Sequence, residues 1–219
     1  MKNVNIMYLT YHNRKNYKLF VNYSFKKNYK FIIILFNASI IGLIFPDFDS
    51  FNIQTSFFQN FIGHRSILTH SILFPYLFYF YAKKKHKLNN NVITIIIGLF
   101  LGLALHLTAD IYPKNGNGNE LIKLPGNISV GKFSFLWISL NTLVSFYISK
   151  VLLNEYFNKK YYRTIYLIIG LLLVCIYVLF EPYNRIIILF TSTILLLIAY
   201  FYDKKMDQKL VNLLNLKKN

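Results

Sequence analysis

Six apolar runs separated by shorter polar segments account for most of the chain. They cover residues 31–45, 66–82, 92–111, 133–153, 164–180 and 186–202. A helix needs about 20 residues to cross about 30 Å of hydrocarbon, so the third and fourth runs are long enough to span a membrane. The first run is short, and it would either cross where the bilayer thins or lie buried inside the bundle. The pattern predicts an all-α, polytopic membrane helical bundle of about six transmembrane helices.

The segments outside the apolar runs define the predicted domain organisation. Residues 1–30 form a basic N-terminal segment, residues 31–202 a single helical membrane domain, and residues 203–219 a basic tail. The longest connection, residues 113–132, contains two prolines and four glycines, which is typical of a loop.

Composition supports a membrane protein and argues against a nucleic-acid partner. The 219-residue chain is 55% hydrophobic and 18% aromatic, and its mean hydropathy is +0.38. A net charge of +17 is compatible with nucleic-acid binding, but the basic residues lie between apolar runs instead of clustering on one element. The sole cysteine, Cys175, lies inside the fifth run, which excludes a thiolate metal site.

The distribution of basic residues predicts how the chain is oriented in the membrane. Cytoplasmic loops carry an excess of Lys and Arg. With Lys150, near the end of the fourth run, counted in the segment that follows it, alternate segments carry 20 and 5 of the 25 basic residues. The sequence therefore predicts a multi-pass protein of the cell membrane with both termini in the cytoplasm.

Six ionisable residues lie at ends of apolar runs, where they are costly unless they are paired or bind an ion. They are Asp47, Asp49, His64, His70, His106 and Asp110. In the predicted orientation the first run ends outward, the second begins there and the third ends there. All six residues are therefore expected in the extracytoplasmic leaflet.

Local spacing supports convergence of these side chains. His106 and Asp110, in LALHLTAD, are four residues apart and share one face of a helix. Asp47 and Asp49, in FPDFDS, follow Pro46, which favours an extended or turn conformation before it; in an extended segment, residues two apart point the same way.

The stretch GHRSILTHS contains two histidines that cannot share a helix face. His64 and His70 are six residues apart, about 240° around an ideal helix. We therefore expect His64 before the second helix, Ser66 as its N-cap and His70 near the end of its first turn.

Imidazole and carboxylate groups together form the ligand set of Zn²⁺, Mn²⁺ or Fe²⁺, with zinc the first expectation. Alternatives remain for each cluster alone. His106 and Asp110 could form a hydrogen-bonded pair within the bundle, and Asp47 and Asp49 a solvated turn. Arg65 could anchor the chain at the membrane interface, or its planar guanidinium could bind an anionic oxygen of the substrate.

The elements FPDFD, GHRSILTHS and LALHLTAD together resemble the membrane-bound, metal-dependent hydrolase family named for the LexA-regulated inner-membrane protein YdjM. The resemblance covers about residues 38–140 and includes the later segment SVGKFSFLW. Ser66 stands where the family usually has glycine. The resemblance implies a hydrolase, and the family is related by motif to zinc-dependent phospholipase C and nuclease folds.

These observations predict a hydrolase in which a metal-activated water attacks a phosphoester. Asp49 or Asp110 would position or deprotonate the water, and Arg65 would bind the substrate. A lipid-linked or headgroup phosphoester is the expected substrate, since the site lies at the membrane interface, and nucleic acid is not. The alternatives are a transporter of divalent metal or protons, and a non-catalytic protein with a structural metal.

Overall fold

The computed structural model describes residues 29–50, 66–85, 87–112, 122–124, 128–157, 160–180 and 184–201, with only the backbone for residues 49 and 50. Helix α1 covers residues 29–44 and continues into a 3-10 helix, Phe45–Ser50. The other helices are α2 (Leu73–Lys84), α3 (Asn90–Asp110), α4 (Phe133–Tyr156), α5 (Lys160–Phe180) and α6 (Arg185–Phe201). Strands β1 (Lys123–Leu124) and β2 (Ile128–Ser129) form a small antiparallel hairpin before α4. The predicted all-α fold with six helices is confirmed within these ranges.

Four helices in the described ranges are long and apolar enough to cross a membrane. They are Tyr29–Phe48, Asn90–Asp110, Phe133–Tyr156 and Lys160–Phe180. The first of them is 20 residues long, because the helix begins before the apolar run and continues beyond it. Helix α6 is apolar but shorter, with 17 residues, and α2 has only 12. The chain is therefore a multi-pass membrane protein in which α2 is too short to cross alone.

Helix α3 is the centre of the bundle. Its sequence is apolar around its whole circumference, which is the pattern of a helix enclosed by others. In its most hydrophobic stretch, 89% of the residues are buried, against 33% in α5. Helices α1, α4, α5 and α6 pack around it, so polar groups between Ile96 and Asp110, where every residue is buried, are shielded from both lipid and water.

Small residues allow α1 and α3 to approach until their backbones touch. A methyl group on Gly102 would overlap the carbonyl oxygen of Ser39, and one on Gly98 would lie 2.6 Å from the Cβ of Ala38. Glycines four residues apart on one helix face are a common device for close helix packing in membranes. The contact fixes the position of α1 along the axis of α3. It thereby brings Asp47, just beyond α1, beside the last turn of α3.

The second predicted helix is shorter than its apolar run. It begins at Leu73, and residues 67–72 form turns, so the prediction of a helix starting at Ser66 is wrong. The reason is long-range pairing, which the run itself does not show. Ser66 forms a parallel bridge with Lys123, and the Ile67 N–H donates to the Lys123 carbonyl at 2.9 Å. Ser66 and Ile67 are thus held against the hairpin, and regular helix begins only at Leu73.

Hydroxyl side chains complete the hydrogen bonding of this non-helical segment. The Thr69 N–H donates to Ser66 Oγ at 3.3 Å, so Ser66 does cap a single turn, and the Leu73 N–H donates to Ser71 Oγ at 3.2 Å. Irregular backbone within a membrane protein is tolerated where its polar groups are satisfied inside the protein. The polar residues of GHRSILTHS that the structure describes therefore stabilise a buried turn.

Candidate metal centre

Three buried side chains, His70, His106 and Asp110, converge at one end of the bundle. The Nε2 atoms of His70 and His106 lie 3.2 Å and 3.1 Å from the same oxygen, Oδ2 of Asp110. The three candidate ligand atoms lie within 4.8 Å of one another. The residues are 1%, 1% and 6% exposed, so water does not screen the carboxylate.

Two of the three groups come from the last turn of α3. His106 and Asp110 are four residues apart there, so they share one helix face, as their spacing predicts. Because the helix is enclosed by its neighbours, this face cannot turn towards solvent. The pair is thus a fixed feature of the fold.

The third group, His70, is held from both sides. Its Nδ1 lies 3.0 Å from Thr69 Oγ1, and its carbonyl oxygen accepts a hydrogen bond of 3.2 Å from Trp137 Nε1 on α4. Asn141, one turn further along α4, accepts a 3.0 Å bond from the Ile72 N–H. These contacts aim Nε2 of His70 at the α3 pair. His70 lies in the turn before the helix and not in its first turn, which corrects that prediction.

The donor set fits a divalent cation. Among the described residues, neither nitrogen of His106 nor Oδ2 of Asp110 has a partner with hydrogen-bond geometry, although all are buried. Buried polar atoms without a hydrogen-bond partner lower the stability of the folded state. Ligand atoms of a tetrahedral zinc site with bonds of about 2.0–2.1 Å lie about 3.3 Å apart, close to the two nitrogen–oxygen separations here. The three residues could therefore hold a metal ion.

Asp47 lies at the open edge of this centre. Its Oδ1 is 3.9 Å from Nε2 of His106, and its side chain is 52% exposed, in contrast to the three buried groups. The segment around it is the 3-10 helix Phe45–Ser50, so of the two predicted alternatives, an extended segment or a turn, the extended one is wrong. Residues two apart are about 240° apart in a 3-10 helix, which removes the basis for a shared direction of Asp47 and Asp49.

The remaining predicted site residues lie outside what the structure describes. These are His64, Arg65 and the side chain of Asp49. Of the six predicted ligands, the structure therefore brings together His70, His106 and Asp110, with Asp47 adjacent to them.

Several neighbours of the centre were not singled out by the sequence. Trp137 and Asn141 hold the turn that carries His70, and Tyr177 on α5 packs edge-on against His106 with ring centroids 6.1 Å apart. The Leu43 carbonyl lies beside the His106 ring, although it is outside the hydrogen-bond geometry of that ring's nitrogens. Of these residues, only Asn141 could have been noticed in the sequence, because it is a polar residue within an apolar run. Trp137 and Tyr177 could not, because aromatic residues are common throughout this chain.

Replacing Thr69 by valine is expected to lower the metal affinity of the centre by about 10–100-fold, the usual effect of losing a partner of a ligating histidine. The hydroxyl fixes the orientation of the His70 ring through Nδ1. The affinity would be measured by competition with a chelator in detergent solution. Thr69→Ser keeps the hydroxyl and should retain the wild-type affinity; equal affinities for the valine and serine variants would contradict this role.

A family model described as the YdjM inner membrane protein matches residues 17–188, which is well over half of the chain. The chain belongs to the YdjM inner membrane protein family. The match includes every residue of the candidate centre and extends from before α1 into α6. The family assignment made from the sequence motifs is thereby confirmed, and it agrees with a multi-pass inner-membrane protein. No curated protein and no solved structure matches the chain.

Proposed function

We propose that this YdjM family protein is a membrane-embedded, metal-dependent hydrolase that acts on a phosphoester at the extracytoplasmic interface. The observation that carries the proposal is the convergence of two imidazole nitrogens on one buried carboxylate oxygen without hydrogen-bond geometry. Ionisable groups at membrane depth are costly unless they are paired or bind an ion, and one bound cation would satisfy all three side chains at once. Zinc suits two histidines and a carboxylate best, with manganese or iron as alternatives.

Three protein ligands are the number typical of catalytic zinc sites, which keep one position for water or substrate. When bound, the cation supplies Lewis-acid chemistry, acidifying water and polarising a phosphoryl group. Asp110 is directed at both histidines and is therefore a ligand in this proposal. Asp47 is half exposed beside His106, so we assign it, with Asp49 as the alternative, the task of accepting a proton from water. Arg65 would bind an anionic oxygen of the substrate.

The position of the centre supports a lipid substrate over nucleic acid. It lies at the end of α3, a helix long enough to cross the membrane, and beside the end of α1. The asymmetry of basic residues, 20 against 5, favours an extracytoplasmic location for this end, with both termini in the cytoplasm. A headgroup or lipid-linked phosphoester could reach it from that leaflet.

We expect metal-loaded protein in right-side-out vesicles to hydrolyse an externally presented phosphoester lipid, while inverted vesicles do not. Asp47→Asn should lower kcat by about 10²–10⁴-fold if this residue accepts the proton. Asp110→Asn should leave only background activity, and His12→Ala, in the basic N-terminal segment, should be fully active.

Other results would contradict the proposal. Metal uptake into proteoliposomes without hydrolysis would identify a transporter. Metal binding with neither flux nor turnover across a panel of phospholipids, polyprenyl phosphates and soluble phosphoesters would identify a structural metal.

A further inference from the structure

An apolar groove lies beside the turn that carries His70. It has a volume of about 540 Å³ and runs between residues 67–76 and the face of α4 that contains Trp137, Leu140, Asn141 and Val144. Ligand sites are typically about 300–1,000 Å³, so its size is that of a binding site. Leu140, at the α4 wall, is 51% exposed and therefore lies on the outer surface of the bundle.

Three polar side chains that line the groove, those of Ser71, Trp137 and Asn141, are engaged with the protein's own backbone. Asn141 accepts from the Ile72 N–H and donates to the Trp137 carbonyl at 2.8 Å. Ser71 donates to the Leu68 carbonyl at 3.1 Å, and the Trp137 indole donates to His70. The groove thus presents hydrocarbon surface with few free donors or acceptors, which suits an apolar ligand.

The groove and the metal centre share a wall. Ser71, which lines the groove, directly follows His70, and Trp137 contacts the backbone of that ligand. Helix α4 is one of the helices that can span the membrane, so an exposed apolar groove along it opens towards lipid chains. A lipid that places one chain there has its headgroup end available to the neighbouring centre.

We propose that this groove binds one hydrocarbon chain of a membrane phospholipid and thereby positions its headgroup phosphoester at the metal centre. This proposal rests on the proposed function for the role of the bound lipid, but the binding itself can be tested separately. A second copy of the chain or a partner helix on this face is an outcome that the test below distinguishes.

Trp137 is the sole tryptophan of the chain and lines the groove, so its fluorescence reports occupancy. In detergent micelles, a phospholipid with brominated acyl chains should quench it saturably, at roughly one lipid per chain. General contact with the lipid around the protein would instead give quenching that grows in proportion to the lipid fraction, and that result would overturn the proposal. Constitutive dimers that exclude the brominated lipid from Trp137 would also overturn it.

The matched variants compare two pairs of exposed side chains on α4. Leu140→Phe with Val144→Phe narrows the groove and should weaken the saturable quenching at least several-fold. Leu136→Phe with Leu143→Phe lies outside the groove on the same helix and should leave it unchanged. Equal effects of the two pairs would contradict a specific site.

Hydrolysis measured on the same variants separates the two proposals. Groove narrowing should raise KM for a long-chain lipid and leave a short-chain soluble phosphoester unaffected. Saturable quenching without any hydrolysis would support lipid binding in the groove and contradict the proposed hydrolase activity. Hydrolysis with quenching that never saturates would support the hydrolase activity and contradict specific lipid binding in the groove.

Discussion

Alanine at His106 is expected to reduce bound metal from roughly one or two equivalents per chain to background, the largest effect of any single substitution in the centre. His106 is fully enclosed, and its Nε2 faces both Asp110 and Asp47. Metal content would be measured by elemental analysis of detergent-purified protein.

The same variant distinguishes a metal centre from a hydrogen-bonded pair. A ligand that binds only the folded state stabilises it by about 2.7 kcal/mol at 100 times its dissociation constant. The free energy of unfolding of the wild type should therefore rise with added zinc, and that of His106→Ala should not. If the two proteins differed in stability by the same amount with zinc and with chelator, His106 and Asp110 would be a purely structural pair.

Alanine at Gly102, in the contact between α1 and α3, is expected to lower the free energy of unfolding of the bundle more than alanine at Gly170, which lies outside that contact. Its Cβ would overlap the Ser39 carbonyl oxygen and lie 2.6 Å from the Leu43 nitrogen. Both are backbone atoms of α1, so relief requires movement of the whole helix. Overpacking of this kind costs about 1–3 kcal/mol and sometimes more. The loss would be measured by reversible unfolding in mixed micelles.

Gly170 provides the matched control. It also lies in a transmembrane helix, but its new Cβ would lie 2.7 Å from Leu196 Cδ2, the end of a side chain that can rotate away. Gly170→Ala should therefore be nearly neutral, helped by the gain in helix propensity of about 1 kcal/mol. Equal losses at Gly102 and Gly170 would show that the close contact between α1 and α3 is not required.

Periodicity and spacing were sufficient for the locations of the helices and for two of the three residues of the centre. The apolar runs located all six helices because burial in lipid or in the bundle demands continuous apolar sequence. The i, i+4 spacing of His106 and Asp110 determined their common direction without knowledge of the remaining fold. His70 was placed near them by the expected order of the helices alone.

Features that depend on distant contacts could not be predicted. The late start of α2 results from pairing of Ser66 with Lys123, 57 residues further along the chain. The choice between an extended segment and a turn at Asp47 was open in the sequence, and the structure has a 3-10 helix there, since a proline is also compatible with the first turn of a helix. The groove depends on how α4 packs against a turn, which no local pattern encodes.

The turn that carries His70 is anchored in two chemically different ways, and these impose different constraints on sequence variation. Its pairing with residue 123 uses only main-chain atoms, so that position can change freely without moving the histidine. Its attachment to α4 uses the side chains of Trp137 and Asn141, for which few replacements offer the same donors and acceptors. Within the family, drift should therefore be permitted on the hairpin side of the turn and restricted on the α4 side.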